Sequence, residues 1–217
     1  MASLKAETSL ATVVGDVVSS RGARDRAGLH RALSAAVARL NAEFDPPSPL
    51  LLQAGDEFQG AFADVGTAMR ATWRLRWALA GKVELRYGLG WGAVTVLEQE
   101  PRVEDGPGWW AARDAIEAVK ADAARPGLRQ LRTAYRLGEG APGPLAEPIN
   151  AALICRDQMV GSLSQRSSTI LGQLIAGRSQ AEIAADLGIS ASAVSQRVRG
   201  DGLVVIEAAQ ELLEGVR

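Results

Sequence analysis

The run from Arg178 to Gly200, RSQAEIAADLGISASAVSQRVRG, constrains this chain more than any other, because its spacing admits two short helices and little else. Ile183, Ala184 and Leu187 recur at helical intervals, and Gly188 supplies the turn, where a positive φ costs a glycine least. Ile189 plugs the space between the helices. Ser190 is placed to cap the second one, and Val194 and Val198, at i and i+4, bury its inner face. Ser179 is a natural cap for the first helix, with Glu182 three residues on completing a capping box. Ser190, Ala191, Ser192, Ser195, Gln196 and Arg199 are left facing outward, as on the recognition helix of a helix-turn-helix. Ser, Gln and Arg hydrogen-bond well to base edges and phosphates. The expected partner is double-stranded DNA, and the expected contact residues are Ser179, Ser190, Ser192, Ser195, Gln196, Arg197 and Arg199. The plainer alternative is a helical hairpin with a polar surface.

The charge balance modifies that expectation. The formal net charge is −1, and between Leu163 and Gly202 four arginines (166, 178, 197 and 199) face Glu182, Asp186 and Asp201. One such unit should hold phosphate weakly, so useful affinity calls for a homodimer. Hydrophobic residues make up 47% of the 217 and charged residues 23%, the balance of a folded chain rather than a disordered one. A single cysteine, Cys155, excludes an internal disulfide, and with one histidine it excludes a zinc cluster. No apolar run suits a signal peptide or a membrane helix, so a cytoplasmic protein with no membrane partner is expected.

Residues 10–18, LATVVGDVV, read as a buried strand, and Asp25 to Phe44 as an amphipathic helix stopped by Pro46, Pro47 and Pro49. Leu50–Gln53 and Glu57–Ala63 suggest a hairpin turning at Ala54-Gly55-Asp56. A helix from Val65 to about Leu79 follows, then a strand over Val83–Leu97 bent at Gly88, Gly90 and Gly92. Glu98–Pro107 reads as a polar loop, Gly108 to about Ala124 as a helix, and Arg125–Pro148 as irregular chain. Ile149–Gln158 restarts as a helix joining two domains, and helical texture holds to the end. The expected fold class is α+β. An antiparallel sheet with helices on one face (residues 8–145) precedes an all-α helix-turn-helix domain (residues 149–217).

Two Gly-Asp turns, at Asp16 and Asp56, end apolar strands, and the topology could bring both carboxylates to one end of the sheet. They are either turn formers or a pair of like charges awaiting a divalent cation, for which hard carboxylate oxygens suit Mg²⁺ or Mn²⁺.

ATVVGDVVSSR, LLLQAGDEFQGAF, LRYGLGWGAV and GPGWWAARDAIEAV occur in this order, and together they resemble the SatD family over nearly the whole chain. More distantly, the same segments resemble the palm-like, ferredoxin-like catalytic domain of class III nucleotide cyclases and GGDEF-type diguanylate cyclases. That resemblance implies Asp16 and Asp56 as metal ligands for a purine nucleotide and Val17, Val18, Ser19 and Ser20 as a phosphate-cradling turn. It also implies Arg113 as the arginine that stabilises the transition state. It departs from the cyclase pattern where Trp109 replaces an Asn and Leu52 a base-reading Lys, while GGDEF survives only as AGDEF. A domain that holds a nucleotide without turning it over efficiently is the implication. Such domains commonly dimerise. Leu163–Arg199 further resembles the DNA-binding domains of LuxR-type regulators and sigma-factor region four.

Trp109 and Trp110 either stack on a base or pack in a core or interface. Arg86 and Arg113 either neutralise phosphate or pair with surface acids. Trp73 and Trp77 read as core, Arg70, Arg74 and Arg76 as a solvated helix face, His30 as a surface or packing residue, and Cys155 as a buried thiol. The resulting expectation is a dimeric bacterial DNA-binding regulator with a nucleotide-sensing or dimerising first domain. The alternatives are a metal-dependent nucleotidyl cyclase or phosphotransfer enzyme fused to a DNA-binding domain, and a first domain that only assembles the dimer.

Overall fold

The computed structural model describes residues 8–18, 25–53 and 56–217. Its centre is β1 (Thr8–Val17), buried from Leu10 onward on both faces because the sheet is covered on both. A near-continuous apolar run is what such a strand requires. After β1 come α1 (Arg26–Phe44), β2 (Ser48–Leu52), β3 (Phe58–Phe62), α2 (Val65–Ala78) and the long β4 (Leu85–Gln99). Then follow β5 (Arg102–Asp105), α3 (Pro107–Ala123), a 3₁₀ turn over 126–128 and β6 (Thr133–Leu137). Asp25 caps α1, accepting from the Gly28 amide, and Asp64 caps α2 through the Thr67 amide.

The strand order is β2-β3-β1-β4-β5, and β6 also pairs with β4. The expected hairpin of β2 and β3 forms; its turn residues Ala54 and Gly55 lie outside the described residues. Several expectations fail here, among them the irregular chain expected over Arg125–Pro148, which contains β6 and the start of α4. The loop expected at Glu98–Pro107 contains β5, whose sequence RVED is polar because it runs along a sheet edge. The sheet is mixed rather than antiparallel: β6 lies parallel to β4, with Tyr87 opposite Thr133 and Trp91 opposite Leu137. One edge of the long β4 thus carries both β6, beside 87–91, and β5, beside 95–99.

The helices also occupy both faces. Ala11, Val13 and Val17 of β1 join the core with Leu33 and Val37 of α1 and Met69 and Leu75 of α2. Val14, one pleat over, packs on Ala112 and Ile116 of α3. Helix α3 lies against the stripe Gly88, Gly90 and Gly92 of β4. A Cβ at Gly88 would stand 2.2 Å from the Ala112 carbonyl oxygen, and one at Gly90 2.3 Å from that of Gly108. The buried Thr12 hydroxyl donates to the same Gly108 oxygen at 2.7 Å.

Helices α4 (Ala146–Gly161), α5 (Gln165–Ile175), α6 (Gln180–Leu187), α7 (Ala191–Gly200) and α8 (Leu203–Glu214) complete the chain. Ile149 and Leu153 of α4 and Leu213 of α8 enter the sheet-side core. Trp73 of α2 and Val160 of α4 enter a second core made by α5–α8, including Ile170, Ile183, Val194 and Ile206. Trp73 and Trp77 are therefore packing residues, in edge contact at 5.5 Å.

A buried ion network sits where the two cores meet. Asp157 of α4, fully buried, accepts through Oδ1 from Arg76 of α2 at 2.8 Å and from Arg156 at 3.0 Å. Its Oδ2 accepts from the backbone amides of Arg132 and Thr133 at 2.8 and 2.9 Å. Arg156 goes on to the Gln210 side chain of α8 at 2.8 Å and the Thr133 hydroxyl at 2.9 Å. Arg70 and Arg74 are the solvated residues expected, but Arg76 is turned inward by this carboxylate. Burial alone would raise the Asp157 carboxyl; the guanidinium groups of Arg156 and Arg76 and the Arg132 amide outweigh it and hold it below its ordinary value.

A depressed folded-state carboxyl contributes stability that is complete above its unfolded value of about 3.9 and disappears as pH falls through the lower folded value. Denaturant titrations should show that acid-side loss in the parent and a smaller one in Asp157→Asn. At neutral pH that variant should be less stable by about 3–5 kcal/mol, because Arg156 is left buried without its carboxylate. Gly88→Ala should cost about 1–3 kcal/mol by forcing α3 off the sheet. Gly127→Ala, where nothing lies within 4 Å of the added methyl, serves as the neutral control.

Candidate functional site

Two regions hold the residues singled out by sequence. The first lies where β1 ends beside the start of β3. Asp16 stands opposite Arg86 in the β1–β4 ladder, and the β1–β3 ladder ends at Gly15 opposite Phe58, so Glu57 and Asp56 follow alongside Asp16 and Val17. The turn expected at Gly15-Asp16 does not form, because both residues are paired inside β1; Asp16 and Asp56 nevertheless fall at the same end of the sheet, and Gly55 lies outside the described residues.

Their electrostatics differ from the expectation. Arg86 donates to Asp16 through Nε at 2.8 Å and Nη2 at 3.2 Å, and Lys120 Nζ of α3 stands 3.3 Å from Asp16 Oδ2. Burial works against the Lys120 charge, but the bonds to Glu117 and Asp16 prevail and raise its proton affinity. Arg113, two turns before Lys120 on α3, pairs with Glu57 at 2.8 Å. Asp56 is half-buried beside it.

A divalent cation needs carboxylate oxygens that are not already neutralised. Both Asp16 oxygens face cations, and no cluster of three His, Cys, Asp or Glu occurs among the described residues. The donor set as arranged does not fit Mg²⁺ or Mn²⁺ at Asp16 and Asp56. Arg86 and Lys120 neutralise Asp16, and Arg113 neutralises the neighbouring Glu57. Sequence reasoning named both arginines but missed Lys120, whose signal was its two-turn spacing from Arg113 on one helix. Val17 is buried and Val18 half-buried, its amide donating to the Glu84 carbonyl at 2.9 Å; Ser19 and Ser20 lie outside the described residues.

The two tryptophans of α3 divide between the readings. Trp109 is half-buried and packs on Leu10, Val14, Ala61 and Val94, so it serves packing. Trp110 is 57% exposed, with its indole N–H donated to Asp105 at 2.8 Å. His30 is exposed near Ser34. Cys155 is exposed, contrary to expectation, because the neighbouring Arg156 and Asp157 take the inward face of α4.

The second region is α6 and α7. Ser179 and Glu182 form the capping box, with the Ser179 hydroxyl donating to the Glu182 carboxylate at 2.7 Å. These bonds hold the exposed Glu182 carboxyl below its usual range. Gly188 takes the left-handed conformation, φ 63°, that ends α6. Ser190 caps α7 by accepting from the Ala193 amide at 3.1 Å. Val194 and Val198 are buried against Ile170, Leu171 and Ile183. Ser190, Ser192, Gln196 and Arg199 are exposed, Ser195 and Arg197 half-exposed, and Arg197 lies 3.7 Å from Asp201. The Ser167 hydroxyl of α5 donates to Asp201 and ties the two helices together.

These features define an α+β protein whose mixed sheet carries a docked unit of short helices. The chain belongs to the SatD family, whose family model matches residues 10–212. Two solved structures of a bacterial light-regulated adenylyl cyclase superpose on it with TM-scores of 0.46 and 0.48, at 12% and 11% identity. Each match covers 60% of this chain, which spans only 43% of the cyclase chain. No curated protein matches it in sequence.

The ion pairs at Asp16 predict its metal chemistry. Replacing Arg86 and Lys120 by Gln should free the carboxylate, and Mn²⁺ titration followed by paramagnetic resonance should show affinity raised on the order of tenfold over the parent.

Proposed function

We propose that this SatD-family chain is a cytoplasmic DNA-binding regulator in which α7 enters the major groove of duplex DNA. One observation carries the reading. Ser192, Gln196 and Arg199 lie exposed along one side of α7, while Val194 and Val198 are buried behind it. Residues at i, i+4 and i+7 share a face over about two helical turns, which suits base edges and phosphates along a groove. Ser179 and Ser190 spend their hydroxyls on capping, so their contribution is to aim the helix starts at the backbone.

The four arginines against three acids between 163 and 202 leave only a small positive charge on each helical unit. Two chains presenting two α7 helices on a pseudo-palindromic site supply what one lacks. The sheet domain then serves as the dimerising or sensing half. Trp109, packed against the core where cyclases carry an Asn, supports sensing over turnover.

Selection from a random duplex library, followed by band-shift assays at two salt concentrations, tests this directly. One sequence class should be enriched. Ser192→Ala, Gln196→Ala and Arg199→Ala should each weaken it by about 1–3 kcal/mol where the side chain reaches a base. Enrichment of nothing, with a triple variant binding like the parent, would reject the reading. Light scattering should report a dimer at micromolar concentration.

A further inference from the structure

A groove lies between the turn that follows α2 and the first turns of α5. It encloses about 700 Å³ and is lined by Arg76, Trp77, Lys82, Arg132, Ser168 and Gln173 among others. Its charge is unbalanced. Asp157 answers both Arg76 and Arg156, leaving one positive charge over. Arg132 is matched by Glu84 at 2.8 Å, and Lys82 has no ion pair among the described residues. One surplus charge, that of Lys82, therefore lies on the groove itself, and the second is shared between Arg76 on its wall and the buried Arg156 behind it. Trp77 on its wall keeps a buried indole N–H with no partner among the described residues. Ser168 and Gln173 add hydroxyl and amide groups from α5.

We infer that this groove binds a phosphomonoester of mononucleotide or sugar-phosphate size. A phosphomonoester carries close to two negative charges at neutral pH, which matches the surplus. The volume falls within the range of small-molecule sites. The hydroxyl and amide groups suit the polar remainder of such a ligand, and the Lys82 ammonium suits its phosphate. A bound ligand would touch the sheet domain and α5 together, and α5 packs directly on α7. The inference goes beyond the DNA-binding reading and stands without it.

Calorimetric and thermal-shift titrations with AMP, ribose 5-phosphate and adenosine, all in EDTA, test it on the full chain. Both phosphomonoesters should bind and raise the melting temperature, and adenosine should not. Lys82→Glu, an exposed position, should keep its circular dichroism spectrum and lose about tenfold or more in AMP affinity. Lys120→Ala, at the opposite ion cluster, should bind as the parent does. Adenosine binding as well as AMP, no binding by either phosphomonoester, full retention in Lys82→Glu, or loss in Lys120→Ala instead would each overturn it. Band shifts with Lys82→Glu and no added ligand report separately on DNA binding.

Discussion

Asp157 is a carboxylate with no exposure to water, and five donor groups from α2, α4 and the start of β6 converge on it. A buried charge is tolerable only when its partners are all in place, so these elements must come together with a fixed geometry. Arg156 extends the constraint to Gln210 of α8, whose amide reaches the Met69 carbonyl of α2 at 3.3 Å. The helical unit is thereby locked onto the sheet domain by directional bonds as well as by apolar packing. Apolar contacts alone would tolerate sliding; a bidentate network does not.

That lock bears on the proposed DNA-binding role. A helix that reads DNA gains from being held rigidly, because a mobile recognition element spends binding energy on its own ordering. Here α7 rests on α5, α5 on α2, and α2 on β1, so the exposed stripe of α7 is referred back to the central strand through packed elements. The groove beside Lys82 opens at the joint along this path. Occupation there would act on the orientation of α5 relative to the sheet, the kind of differential contact that regulation needs.

The opposite face of the sheet is shaped by absent side chains. The glycine stripe of β4 lets α3 approach until backbone meets backbone, and this closeness brings Arg113 and Lys120 onto the acids at the strand ends. Three cations answer Asp16 and Glu57 there. Asp16 and Glu57 are thereby one half of a set of ion pairs. Chemistry at that end of the sheet begins with an exchange of partners.

Much was legible in sequence because it rests on local rules. Periodicity located β1, α1, α2, α3 and the C-terminal helices, and the Ser179, Gly188 and Ser190 positions followed from cap and turn chemistry that needs no distant partner. The inward Val194 and Val198 followed from the same 3.6-residue repeat. Strand β6 was not legible: TAYRL is short, and its parallel pairing depends on where α3 returns the chain to β4. Nor were the roles of Arg76, Arg156 and Asp157, since a charged residue declares its burial only when elements distant in sequence converge on it. The sequence by itself determined the helices, the strands other than β5 and β6, and the caps at Ser179 and Ser190. Tertiary structure decided which cations Asp16 and Glu57 meet, because ion pairing depends on distances across the fold that no local pattern encodes.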